Sequence, residues 1–138
     1  MAYFEDLELG QSAEATHTVT AADIEAFGHA IGDFNPLHFD EAYAMTTTFK
    51  GRIAHGMMLA GYISALMASD LPGPGVIYLG QTLDFLRAVH IGDEVVTRVE
   101  VTALDDAKTE ATLATLVKVG RKAMVRGEAK MLVQRRPT

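Results

Sequence analysis

Between Ile53 and Asp70 the chain reads IAHGMMLAGYISALMASD, and from Gly56 to Ala68 it carries no charged side chain. A run of that length exceeds an ordinary strand and reads as a helix that is apolar on every side. Such a helix must be enclosed by protein or by lipid, and about a dozen uncharged residues fall well short of the ~20 that cross a bilayer. The rest of the chain therefore has to wrap it. Leu71-Pro72-Gly73-Pro74-Gly75 stops the helix, and the chain beyond Gly75 has strand character, so the expected wrapper is a β-sheet.

A length of 138 residues predicts one domain, 1-138, with a single core. The formal charge of -6 argues against a general affinity for nucleic acid or an anionic membrane, so any anionic ligand must be held by local groups. The absence of cysteine excludes disulfides, thiolate metal sites and a thiol nucleophile. The opening MAYFEDLELG is acidic and lacks the basic and apolar regions of a secretory signal, which makes the cytoplasm the expected location.

Along the chain, Gln11 to Val19 is expected as a first strand, with Ala13, Ala15, His17 and Val19 on one face. Thr20 reads as the cap of a short helix that carries Asp23 in its first turn, shows Ile24, Phe27 and Ile31 at helical spacing, and ends at Gly32. Pro36 disfavours the helical region for Asn35, so Asp33 to His38 is expected as a loop of fixed geometry. Asp40 is placed to cap another short helix through Tyr43 to Met45. After Gly75, four strand-like runs (Val76 to Leu86, Glu94 to Leu104, Thr109 to Val119 and Ala123 to Val133) are joined by short turns and predict an antiparallel meander. In the second run Val95, Thr97, Val99 and Val101 share one face, with Arg98 and Glu100 on the other. A sheet laid on a long helix is an α+β arrangement.

Asp33 and His38, five positions apart on a proline-stiffened segment, form a carboxylate and imidazole pair able to move protons on a water near neutral pH. The same segment is also an ordinary Asp-x-Asn-Pro turn whose side chains bond to backbone, and the pair alone leaves both readings open. The amide of Gly56 stands at the positive end of the apolar helix, where a carbonyl oxygen gaining charge is stabilised; a glycine there also permits tight packing. His17, His29 and His90 show no partner pattern. A metal set of His29, Asp33, His38 and Asp40 has suitable donors but no recognised spacing, and no metal is expected.

Asp33-x-Asn35-Pro36-x-His38, followed seventeen residues after the histidine by His55-Gly56-Met57, resembles the MaoC-like (R)-specific enoyl-CoA hydratases. The segments Ile77 to Phe85 and Gly92-Asp93-Glu94-Val95 are similar to that family too, and the likeness runs from about Phe4 to Val133. It implies a hot-dog fold, a long central helix wrapped by a curved antiparallel sheet. It also implies Asp33 and His38 as the catalytic pair, Asn35 orienting them, and the Gly56 amide polarising a thioester carbonyl. The implied reaction is reversible syn addition of water to trans-2-enoyl-CoA giving (R)-3-hydroxyacyl-CoA, without cofactor, by a homodimer; coenzyme A is part of the substrate. His55, inside the motif, is expected to shape the helix entrance. For coenzyme A phosphates the first expectation is Lys50 and Arg52, the second Arg121, Lys122 and Arg126; Met57, Met58, Tyr62, Ser64 and Met67 are expected along an acyl tunnel. The competing readings are dehydration of 3-hydroxyacyl groups on acyl carrier protein, thioester hydrolysis, and non-catalytic acyl-CoA binding.

Overall fold

The computed structural model describes residues 1–138. After a 3-10 turn at Phe4–Asp6, strand β1 (Ser12–Thr18) leads into α1 (Ala21–Ile31), two short helices α2 (Pro36–Phe39) and α3 (Glu41–Met45), and the long helix α4 (Gly56–Ser69). Strands β2 (Ile77–Phe85), β3 (Glu94–Asp105), β4 (Glu110–Val119) and β5 (Lys122–Leu132) complete the chain. No helix is long and apolar enough to cross a membrane.

Local chemistry explains most boundaries. Thr20 and Asp23 form a reciprocal capping box, each side chain accepting the other's backbone N–H at 3.1 Å, and α1 closes on Gly32 in the left-handed conformation at φ 77°. The proline at position 36 does not prevent a helix; it starts one. Asn35 lies outside the helical region (φ -51°, ψ 127°) and its side chain accepts the Leu37 N–H, while Pro36 occupies the first helical position, where its missing N–H costs nothing. The expected loop is therefore a cap followed by one helical turn carrying His38. Asp40 caps α3 in the same way, accepting the Tyr43 N–H at 3.0 Å.

The sheet is antiparallel with strand order β1-β3-β4-β5-β2. Strands β3, β4 and β5 are the meander expected from their tight turns, but β2 is not part of it. Instead of pairing with β3, β2 crosses to the far edge and pairs with β5, Ile77 opposite Leu132 and Phe85 opposite Val125. The connection from Leu86 to Asp93 is long enough to cross over, and Ile53 bridges to His90 within it. One face of β3 (Val95, Thr97, Val99, Val101) is buried against α4, each such apolar side chain contributing about 1.5–3 kcal/mol by leaving water.

Helix α4 is enclosed on one side only. Met58, Leu59, Ile63, Leu66 and Met67 are core, whereas Met57 is 59% exposed and Gly61, Ala65 and Ala68 continue the open stripe. The helix is apolar all round as its sequence indicates, yet one copy of this sheet does not cover it.

Candidate active site

Three backbone devices bring the chemistry-bearing residues together. Gly32 and Asp33 both donate to the Gly28 carbonyl, at 2.8 and 3.0 Å, which turns the chain sharply at the end of α1. Asp33 then accepts the Asn35 N–H at 3.1 Å, and Asn35 caps α2. Asn35 thus joins Asp33 to α2 through its backbone N–H, its side chain being occupied with the helix cap. Gly28 has to be glycine because a Cβ there would run into the Phe39 ring and lie 2.8 Å from the Asp33 carbonyl oxygen.

His38 is buried in the last turn of α2. Its Nδ1 lies 2.7 Å from the Ile53 carbonyl, which can only accept, so Nδ1 carries the proton and Nε2 of the neutral ring holds a lone pair. Burial pushes the His38 imidazole below its usual pKa, and the Ile53 bond only partly opposes that shift.

Arg52 faces inward. Its Nε donates to the His38 carbonyl at 2.6 Å and its guanidinium approaches Glu25 at 3.6 Å, so it fastens α2 in place with a side chain only 12% exposed.

His55 is the residue whose place the sequence understated. It is 2% exposed and its ring stacks on His38 with centroids 3.9 Å apart at 26°. Its Nε2 donates to the Asp33 carbonyl at 3.2 Å and stands 4.0 Å from a carboxylate oxygen of Asp33. One ligand-type atom from each of Asp33, His38 and His55 falls within 4.8 Å of the others. His38 Nδ1 and His55 Nε2 are both spent on backbone carbonyls, so the trio suits proton transfer better than ion binding. His29 is outside it, packed on Phe34 and Phe39.

Gly56 opens α4. The His55 carbonyl accepts the Met58 and Leu59 N–H groups at 3.1 and 3.4 Å, leaving the Gly56 and Met57 amides as the unpaired first-turn donors at the positive end of the helix. Gly56 borders a cavity of about 540 Å³ shared with His38, Ile53 and Leu86, and a Cβ on it would stand 2.7 Å from the Phe85 ring. Glycine is therefore required for packing, and the same close approach leaves the amide at the cavity wall.

A second cavity of about 710 Å³ meets the first at Met57 and runs between α4 and β2, past Ala60, Ser64, Leu79 and Leu83. Met57 and Ser64 lie along this route as expected, but Met58 and Met67 are core. Tyr62 is on the opposite side of α4, 4.8 Å from His17, where burial, reinforced by Asp23, pushes its phenol up to about 12. A mostly apolar channel reaching an imidazole and a helix amino terminus, with the Asp33 carboxylate close to that imidazole, can bind a flat acyl chain and exchange protons at its head.

Comparison with known proteins agrees with this geometry. The MaoC like domain family model matches residues 6–123. An (R)-specific enoyl-CoA hydratase of Rhodospirillum rubrum is 47% identical over 134 residues, 97% of this chain and 93% of that protein. A 3-hydroxybutyryl-CoA dehydratase of Methylorubrum extorquens is 42% identical, covering 97% of this chain and 85% of that one. The solved structure of an (R)-hydratase from A. caviae involved in PHA biosynthesis superposes with a TM-score of 0.91 at 47% identity, over 94% of this chain and 98% of the other. The sheet and helix of this chain are the hot-dog fold of these hydratases, with β2 on the outer edge. On family match, identity and fold together, the chain belongs to the MaoC-like dehydratase family.

Proposed function

We propose that residues 1–138 act as one MaoC-like domain with the activity of an (R)-specific enoyl-CoA hydratase, a hydro-lyase adding water reversibly to trans-2-enoyl-CoA. The observation that carries this reading is the meeting of Asp33 and His38 near the amino end of α4, beside a cavity that Gly56 and His38 both line. A water bound by the Asp33 carboxylate and His38 gives a proton to Nε2 as its oxygen forms the bond to C3. The π pair moves onto the thioester oxygen, where the Gly56 amide meets the developing charge. The enolate then collapses and the proton on Nε2 passes to C2. Asp33 offsets the transient imidazolium. Hydroxyl and proton arrive from one face, which gives syn addition; the (R) configuration is taken from the (R)-specific relatives and requires that the site present the matching face of C3. No step calls for a cofactor or metal; coenzyme A enters as the substrate's handle, and the cytoplasm supplies it. In an assay of crotonyl-CoA, loss of the enoyl-thioester absorbance with (R)-3-hydroxybutyryl-CoA as product is expected. Release of free thiol instead would transfer the site to thioester hydrolysis.

The working unit is a homodimer. Strand β2 is an unpaired edge on which Ile77 (56%), Leu79 (46%) and Phe85 (52%) are exposed, and it flanks the open stripe of α4. An unpaired edge of nine residues with exposed apolar side chains invites pairing with a second copy, which would also roof the acyl channel. Light scattering coupled to size exclusion should give about twice the 14.9 kDa chain mass, and a monomer at micromolar concentration would refute the pairing.

A further inference from the structure

At the β4–β5 hairpin a hollow of about 530 Å³ is lined by Leu86, Arg87, Arg121, Lys122, Ala123 and Arg126. Four of the six are cations, in a chain whose formal charge is -6. None of the four is ion-paired to a carboxylate, although six arginine–carboxylate pairs occur elsewhere. Asp84 faces Arg126 across the β2–β5 register without pairing to it. Arg87 is fixed at the rim by donating to the Ala123 carbonyl at 2.6 Å. Leu86 and Arg87 line this hollow and the cavity of His38 and Gly56 alike, so the two are adjacent across one short segment of chain.

We propose that this basic hollow is the subsite for the phosphates of the substrate's nucleotide. The inference rests on the acyl-CoA reading above. Unpaired arginines in a concave site suit phosphate oxygens, which they bind through two parallel N–H donors. The hollow's size, about 530 Å³, matches a small ligand better than the broad surface of a folded carrier protein. Of the first expectation, Lys50 and Arg52, the arginine donates its Nε to the His38 carbonyl and the lysine is exposed.

The test compares crotonyl-CoA with crotonyl-pantetheine, which lacks the nucleotide, in the parent and in Arg121→Gln/Arg126→Gln. The double variant should raise KM for crotonyl-CoA by about tenfold or more, with kcat held within about twofold, and should lower the kcat/KM preference for crotonyl-CoA over crotonyl-pantetheine by a similar factor. An unchanged KM for crotonyl-CoA overturns the proposal, and so does an equal loss on both thioesters. A loss confined to crotonyl-acyl carrier protein also overturns it and assigns the hollow to a protein partner. If the double variant fails to fold, Lys122→Gln is read by the same ratios. A parent inactive on every crotonyl thioester refutes the hydratase reading alone. Calorimetric titration with coenzyme A then decides the subsite: weaker binding in the variant supports it and equal binding overturns it.

Discussion

His38→Ala and Asp33→Asn are each expected to reduce kcat for crotonyl-CoA hydration by about 10²–10⁴-fold, the usual worth of a positioned acid or base. Both variants should fold. Losing the His38 ring leaves the Ile53 carbonyl without its donor, a cost of about 1–3 kcal/mol against a total stability of about 5–15 kcal/mol. Asparagine at position 33 keeps an oxygen to accept the Asn35 N–H and removes only the charge, on a side chain that is 43% exposed. Near-native circular dichroism with activity largely gone supports the assigned roles, and full activity in either variant removes them.

The same pair sets a pH dependence. Burial holds the His38 imidazole below the usual 6.5, so its neutral, proton-accepting form predominates at pH 7. The acid limb of kcat/KM that reports this group should therefore lie below pH 6.5. Stability follows the same sign. The unfolded chain takes up the proton at a higher pH than the folded one, so the contribution from a neutral buried His38 is complete above 6.5. It is lost as the pH falls from there through the lower folded value. Comparing melting temperature against pH in the parent and in His38→Ala isolates that contribution.

Much of this fold is legible because single residues decide it. The uncharged run after Gly56, the Thr20 and Asp23 box, and the alternation of Val95, Thr97, Val99 and Val101 each act locally, and each appears where it was expected. The position of β2 was not legible, since a two-edged sheet with tight turns can add its first strand at either side and no local preference selects the β5 edge. Pro36 misled for a related reason: the rule that a proline discourages helix acts on the residue before it, and Asn35 answers that by becoming a cap. His55 and Arg52 show a third kind of limit. Both lie close to Gly56 in sequence, but stacking on His38 and donation to its carbonyl are contacts across 17 and 14 positions, fixed by how α2 docks on the segment before α4. The open stripe on α4 is the reverse case, a feature the sequence signals as burial without saying whose atoms supply it.

Gly127→Ala is expected to be among the most destabilising single substitutions in the chain, lowering the melting temperature by more than about 10 °C or preventing soluble expression. Gly127 lies on β5 opposite Leu83 of β2 and Thr115 of β4. A Cβ at this position would overlap the Thr82 carbonyl oxygen and lie 2.7 Å from the carbonyl carbon. Those atoms are backbone, held in the ladder at both ends, so no rotamer change relieves the overlap and the strands must separate. Separation breaks the β2–β5 pairing where Glu128 also donates to the Thr82 hydroxyl. Because β2 closes the second cavity and carries Phe85 against Gly56, the acyl channel and the helix entrance are lost together. Lys130→Ala supplies the control, on β5 itself, where the side chain removed is exposed and makes no hydrogen bond or ion pair. That variant should melt within about 2 °C of the parent, as surface substitutions usually do. Equal melting of Gly127→Ala and the parent would mean that β5 and β2 are not held at the spacing described.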